Sequence, residues 1–151
     1  FPGGKRQKFY KAYTTSHHKL TSVYNLIYQD KKKIITREIV EKMGIFGLSI
    51  LYMDQGCREL KWNRGKTIRK IGCYSFALCR FSVDEIKILS DYLFEKYNIE
   101  SAIVMRNGKN PILRIRKNES KKKFRNLLDP FILESMKYKI QEPAEHTYKP
   151  L

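Results

Sequence analysis

Cysteine is scarce in this chain, and the three residues present fall in no useful pattern. Cys57, Cys73 and Cys79 are odd in number and never spaced C-x-x-C, which excludes a disulfide framework and a zinc ribbon. They read as reduced thiols, so the expected compartment is intracellular. His17, His18 and His146 stand at no metal-ligand spacing from a cysteine or carboxylate, and His17 and His18 are read as helix-start residues. No apolar run approaches the roughly 18 residues that a membrane span requires, and no apolar signal core opens the chain. No membrane partner is expected. Acidic residues are the last shortage: 15 Asp and Glu face 31 Lys and Arg in 151 residues, a formal charge of +16. Such an excess attracts polyanions, and nucleic acid is the natural partner.

Hydrophobic residues make up 42% of the chain, enough for one domain with a real core. Residues 1–8 mix Pro, glycines and basic residues and read as an extended basic arm. A strand is expected from Phe9 to Thr15, then a helix capped by Ser16 with Leu20, Val23, Leu26 and Ile27 on its apolar side, ending near Gln29 and Asp30. A basic turn at Lys31, Lys32 and Lys33 leads to a short helix from Thr36 to Met43. Residues 44–55 are apolar nearly all round and so must be buried on most sides. The small residues Gly44, Gly47 and Ser49 would let another helix approach. Two strands, Cys57 to Asn63 and Ile68 to Arg80, are joined around Arg64, Gly65 and Lys66. Ser82 and Glu85 form a capping box for a helix to Tyr97 with Ile86, Leu89 and Leu93 on one face. A second strand pair, Ser101 to Arg106 and Ile112 to Lys117, turns over at Asn107 to Asn110. A last helix starts after Asn118, turns Phe124, Leu127 and Leu128 inward and stops at Asp129-Pro130.

The segment Gly47-Leu48-Ser49-Ile50-Leu51-Tyr52-Met53-Asp54-Gln55-Gly56 resembles the second signature helix of LAGLIDADG homing endonucleases, which often reads L-A-x-W-x-M-D-D-G in the single-chain, intron-encoded branch. Tyr13 to His17 and the following helix resemble the end of that family's first half. Lys32-Lys33-Ile34-Ile35 resembles its K-K-x-I-P segment, and Met136 to Ile140 its closing M-x-Y-K-L. The resemblance implies an α+β fold, an αββαββα half-unit with a curved antiparallel four-stranded sheet. Residues 44–140 would form that domain, residues 9–43 a remnant of a first half with its linker, and residues 141–151 a tail. In the family, two signature helices pack side by side and each delivers one carboxylate to divalent metal ions, while the sheets lie in the DNA major groove.

The family's acidic position falls on Gln55, so no intact catalytic set is expected. A glutamine oxygen brings no charge to a Mg²⁺ site. Adjacent helical residues point about 100° apart, so Asp54 is expected to face elsewhere. Cys79, in Leu78-Cys79-Arg80-Phe81, stands where the family often has the glutamine of T-Q-S-F. If the chain is active, Asp54 is the candidate metal ligand, with Lys33 and Lys139 as the active-site lysines. The alternation of Ile112, Arg114 and Arg116 against Leu113 and Ile115 leaves one sheet face cationic, extended by Lys61, Asn63, Arg69 and Arg106. Lys5, Arg6, Lys8, Lys11, Lys33, Lys121, Lys122, Lys123 and Lys139 add phosphate contacts.

The expected function is binding of RNA or double-stranded DNA by a catalytically inactive LAGLIDADG derivative. It would serve as a maturase-like splicing factor or as a component of an organellar ribonucleoprotein or ribosome, for example in mitochondria, with no cofactor. The alternative is the C-terminal half of a site-specific endonuclease that cleaves or nicks DNA with Mg²⁺ once paired with a first half supplied by a second chain or by the rest of a longer chain.

Overall fold

The computed structural model describes residues 13, 15–62 and 69–142, apart from the side chains of Trp62, Arg69 and Lys70. Helix α1 (His18–Ile27) is followed by a small ribbon, β1 (Tyr28–Gln29) and β2 (Lys32–Lys33), then α2 (Arg37–Gln55). Strands β3 (Gly56–Trp62) and β4 (Arg69–Ala77), helix α3 (Val83–Tyr97), strands β5 (Ala102–Arg106) and β6 (Asn110–Ile115) and helix α4 (Asn118–Leu128) complete the series. From α2 to α4 the order is αββαββα. The four larger strands form one antiparallel sheet in the order β3-β4-β6-β5.

Several element ends differ from those expected, each for a local reason. His17 rather than Ser16 caps α1, its Nδ1 accepting from the Lys19 amide at 3.2 Å. The helix stops at Ile27 because Asp30 and Lys31 both take positive φ, 48° and 63°, and turn the chain back on itself as a ribbon. Strand β4 ends at Ala77, where a turn begins in which the Phe81 amide donates to the Leu78 carbonyl. Strand β6 begins at Asn110, before Pro111. A proline cannot donate to a ladder, but the β4 pairing with β6 extends only to Ile112, so nothing on that side is lost. Asp129-Pro130 does not end helical structure outright, since residues Asp129–Phe131 form a 3-10 turn. Most of the expected strand from Phe9 to Thr15 and the turn at Arg64 to Lys66 lie outside the described residues, and Tyr13 and Thr15, which are described, are in no strand.

Gly44 divides α2 into a lead-in and the signature segment. Its φ of 56° and ψ of −160° are open to glycine and costly for other residues, so the helix kinks there. Past the kink, Leu48, Ser49 and Tyr52 are buried. Ser49 therefore does not hold open a surface for another helix, and its hydroxyl donates back to the Ile45 carbonyl. Across Gly47 lies the Met43 side chain, whose Cγ would sit 2.2 Å from any added Cβ.

The core lies between the helices and one face of the sheet. Tyr52, Tyr74, Phe76 and Phe124 meet edge to face or tilted, with centroids 5.0 to 6.1 Å apart, an arrangement aromatic rings favour. Buried hydroxyls need partners. Tyr52 donates to the Lys139 carbonyl at 3.1 Å and Tyr74 to the Ile140 carbonyl at 2.8 Å. The 3-10 segment Glu134–Lys139 is thereby strapped over the end of the signature helix. No described helix is long and apolar enough to cross a membrane.

Candidate nucleic-acid interface

Strand register fixes which side chains share the sheet face opposite the core. Tyr74 pairs with Arg58 and Ile115, and Phe76 with Gly56 and Leu113, on the inner side. Alternation then assigns Cys57, Glu59 and Lys61 of β3, Cys73, Ser75 and Ala77 of β4, Ile112 and Arg114 of β6, and Ala102, Val104 and Arg106 of β5 to the outer side. Arg116, just beyond β6, continues that row. Lys61, Arg106 and Arg116 are exposed. They are free to meet phosphate, which carries affinity, or base edges, which carry specificity.

The middle of this face is less cationic than the alternation alone predicts. Arg114 Nη2 donates to Glu59 Oε1 at 3.0 Å, and its Nε is buried with no partner among the described residues. Ile112 and Cys73 are buried there as well. Burial first, and Glu59 second, pushes the Cys73 thiol up to about 11, so this cysteine stays protonated. Glu59 is the residue the sequence reading missed. Its alternation with Cys57 and Lys61 was the available signal, but a reading directed at cations passed over it.

At the C-terminal end of α2, the chain brings its catalytic candidates together. Lys33, Asp54, Gln55, Cys79 and Arg80 line one cavity of about 650 Å³, with Ile35, Val40 and Leu89 among its apolar walls. Asp54 and Gln55 do not face apart as helical spacing predicts. Gln55 Nε2 donates to Asp54 Oδ2 at 2.7 Å, because both residues occupy the exposed last turn, where the longer Gln55 side chain is free to bend back. One charged oxygen donor, itself accepting the Gln55 amide, is a poor set for Mg²⁺, which is typically held by one or two carboxylates with phosphate oxygens. The two residues do not by themselves fit the metal site that the resemblance implies.

The lysines sort by their partners. Lys139 Nζ donates to the Met53 carbonyl and, at 3.1 Å, to the Gly56 carbonyl, capping the signature helix. Lys121 Nζ donates to the Ile71 carbonyl at 2.7 Å and lies within 3.4 Å of that of Gly72, beside the bulge between Glu59 and Leu60. Both ammonium groups are engaged within the protein. Lys33 is exposed and lies 5.9 Å from the Tyr28 ring centroid. Lys5, Arg6, Lys8 and Asn63 lie outside the described residues, as does the side chain of Arg69.

Comparison with known proteins agrees with this architecture. The cytochrome b mRNA maturase bI2 of Saccharomyces cerevisiae is 27% identical over 145 residues, covering 91% of this chain and 31% of the maturase. The homing endonuclease I-WcaI, solved bound to its DNA recognition sequence, superposes with a TM-score of 0.73 at 27% identity, over 87% of this chain and 56% of that one. The chain thus spans about a third of the one relative and just over half of the other. Residues 3–124 match the LAGLIDADG DNA endonuclease family. By that match over most of its length, the chain belongs to the LAGLIDADG DNA endonuclease family.

Proposed function

We propose that this chain binds nucleic acid with the outer face of its four-stranded sheet and leaves the phosphodiester intact. The observation that carries the reading is the Gln55 to Asp54 hydrogen bond at the end of the signature helix. An amide hydrogen lies against the one carboxylate that the described residues place there, where a cleaving site needs further negative charge. Cys79 in place of the resemblance's glutamine and the commitment of Lys139 to helix carbonyls point the same way. Binding needs none of these groups, and Lys61, Arg106 and Arg116 support it.

A maturase-like part in intron splicing suits kinship with a cytochrome b mRNA maturase, and so does residence in an organelle. Residues 44–140 form the binding unit of this proposal. Charge reversal tests it. Lys61→Glu with Arg116→Glu is expected to weaken binding of duplex DNA and structured RNA at least tenfold and to flatten the dependence of log affinity on log salt by about two phosphate contacts. Unchanged affinity of the double variant for both ligands would sink the sheet-face reading.

A second reading rests on apolar surface. Phe46 is 64% exposed and Ile50 48% on one side of the signature helix. Leu20, Val23 and Tyr24 are exposed on α1, which buries none of its residues among those described. Apolar helix faces of this kind suit a partner, here a second half-unit whose own carboxylate would complete a Mg²⁺-dependent nuclease. Gln55→Asp separates the two readings: a cleaving assembly gains activity, whereas a binding protein keeps its affinity and cuts nothing.

A further inference from the structure

We propose that Glu59 is a specificity-determining residue, which holds Arg114 in position to read a guanine edge. The inference rests on the sheet-face reading above and adds a residue which that reading does not use. Arg114 starts on β6, opposite Ser75 of β4, and reaches across β4 to Glu59 on β3. The route is open because β4 places only Cys73 and Ser75 along it, and neither side chain is long enough to block it. At side-chain exposures of 23% and 37% the pair is sheltered, against 63% and 60% for the surface pair Lys42–Glu38.

Two consequences follow for a ligand. A guanidinium already held in place loses less conformational freedom on binding than a free one. Its local charge is also cancelled, so a phosphate arriving there meets a carboxylate as well as an arginine and is disfavoured. A neutral acceptor edge suffers no such penalty. Nη1 carries no partner among the described residues, and guanine offers N7 and O6 side by side. The face therefore divides into a neutral reading centre and a rim of Lys61, Arg106 and Arg116 for phosphate. Two sources present the same edge: the major groove of duplex DNA, and an unpaired guanine in an RNA loop.

The test is selection by the purified chain from a pool of randomised DNA duplexes and a pool of randomised RNA loops, with affinity for one fixed random-sequence duplex followed against salt. Wild type is expected to enrich guanine at a defined position in one pool, which identifies the source. Glu59→Gln keeps the size and an acceptor but removes the charge. It is expected to abolish that enrichment while binding the random duplex severalfold more tightly, with a salt slope steeper by about one contact. Glu59→Asp, which keeps the charge, should retain a weaker preference. Guanine enrichment undiminished in Glu59→Gln overturns the role of Glu59, and so does a uniform loss of affinity for all sequences. Wild type that binds with no base preference also overturns it, and failure to bind either pool overturns the sheet-face reading with it.

Discussion

Lys139 joins the 3-10 segment Glu134–Lys139 to the end of the signature helix from both sides. Its ammonium donates to the Met53 and Gly56 carbonyls, and its own carbonyl accepts from the buried Tyr52 hydroxyl. Helix C-termini leave carbonyls without intrahelical donors, and a cation there is favourable. Lys139→Met removes the ammonium and keeps the stem, so it is expected to cost about 1.5–3 kcal/mol, the range for hydrogen bonds to charged groups. Urea unfolding should show a lower midpoint at unchanged slope; an unchanged midpoint would mean that the ammonium is idle in the fold and available to phosphate. The lysine was legible in the sequence through Met136 to Ile140, but its partners were not, because they lie more than eighty residues back along the chain. A different limit applied at Gln55. The residue itself could be read, whereas its bond to Asp54 depends on side-chain freedom in a final helical turn, which ideal helical spacing does not describe.

Glu85 shows how one side chain positions two elements. Its carboxylate accepts from the Ser82 amide at 2.8 Å, completing the capping box of α3, and from the Ile35 amide at 3.0 Å, fixing the chain just before α2. Desolvation raises its pKa, but the hydrogen bonds from the Ser82 and Ile35 backbones and the Ser82 side chain together hold it below the ordinary 4.5. A depressed folded-state pKa contributes stability that is present in full above the unfolded value and is lost as pH falls through the folded one. Glu85→Gln is therefore expected to be less stable than wild type near neutral pH and to lose less on acidification below about 4.5. Thermal unfolding followed across that range checks it, and parallel curves for the two proteins would count against the assignment. Ser82-x-x-Glu85 made the capping box plain from sequence, and the expected helix boundary at Met43 falls at the kink, although Gly44 was expected to serve close helix packing rather than a positive φ. The bond to Ile35 spans fifty residues, and the bulge that sets the β3 register depends on where Gly72 meets Lys61. Neither leaves a local pattern to read.

At the scale of the whole molecule, a charge of +16 supplies long-range attraction to a polyanion, which under the proposed function docks on the outer face of the sheet. The excess is spread along the chain, so attraction at a distance does not depend on any one residue. Catalysis is different in kind, because it needs several charges within a few ångströms at the end of α2. There the described residues place one carboxylate, an amide donating to it, a lysine turned to backbone carbonyls and the cations Lys33 and Arg80, with no second carboxylate. Under the proposed function binding and cleavage have parted in this chain, and both can be followed in one reaction. The most direct measurement incubates the purified protein with Mg²⁺ and the nucleic acid that it selects, and resolves bound, free and cut strands over time. The expected result is a retained, salt-sensitive complex with every strand intact. Mg²⁺-dependent cleavage at a defined position by the wild-type chain alone would contradict it.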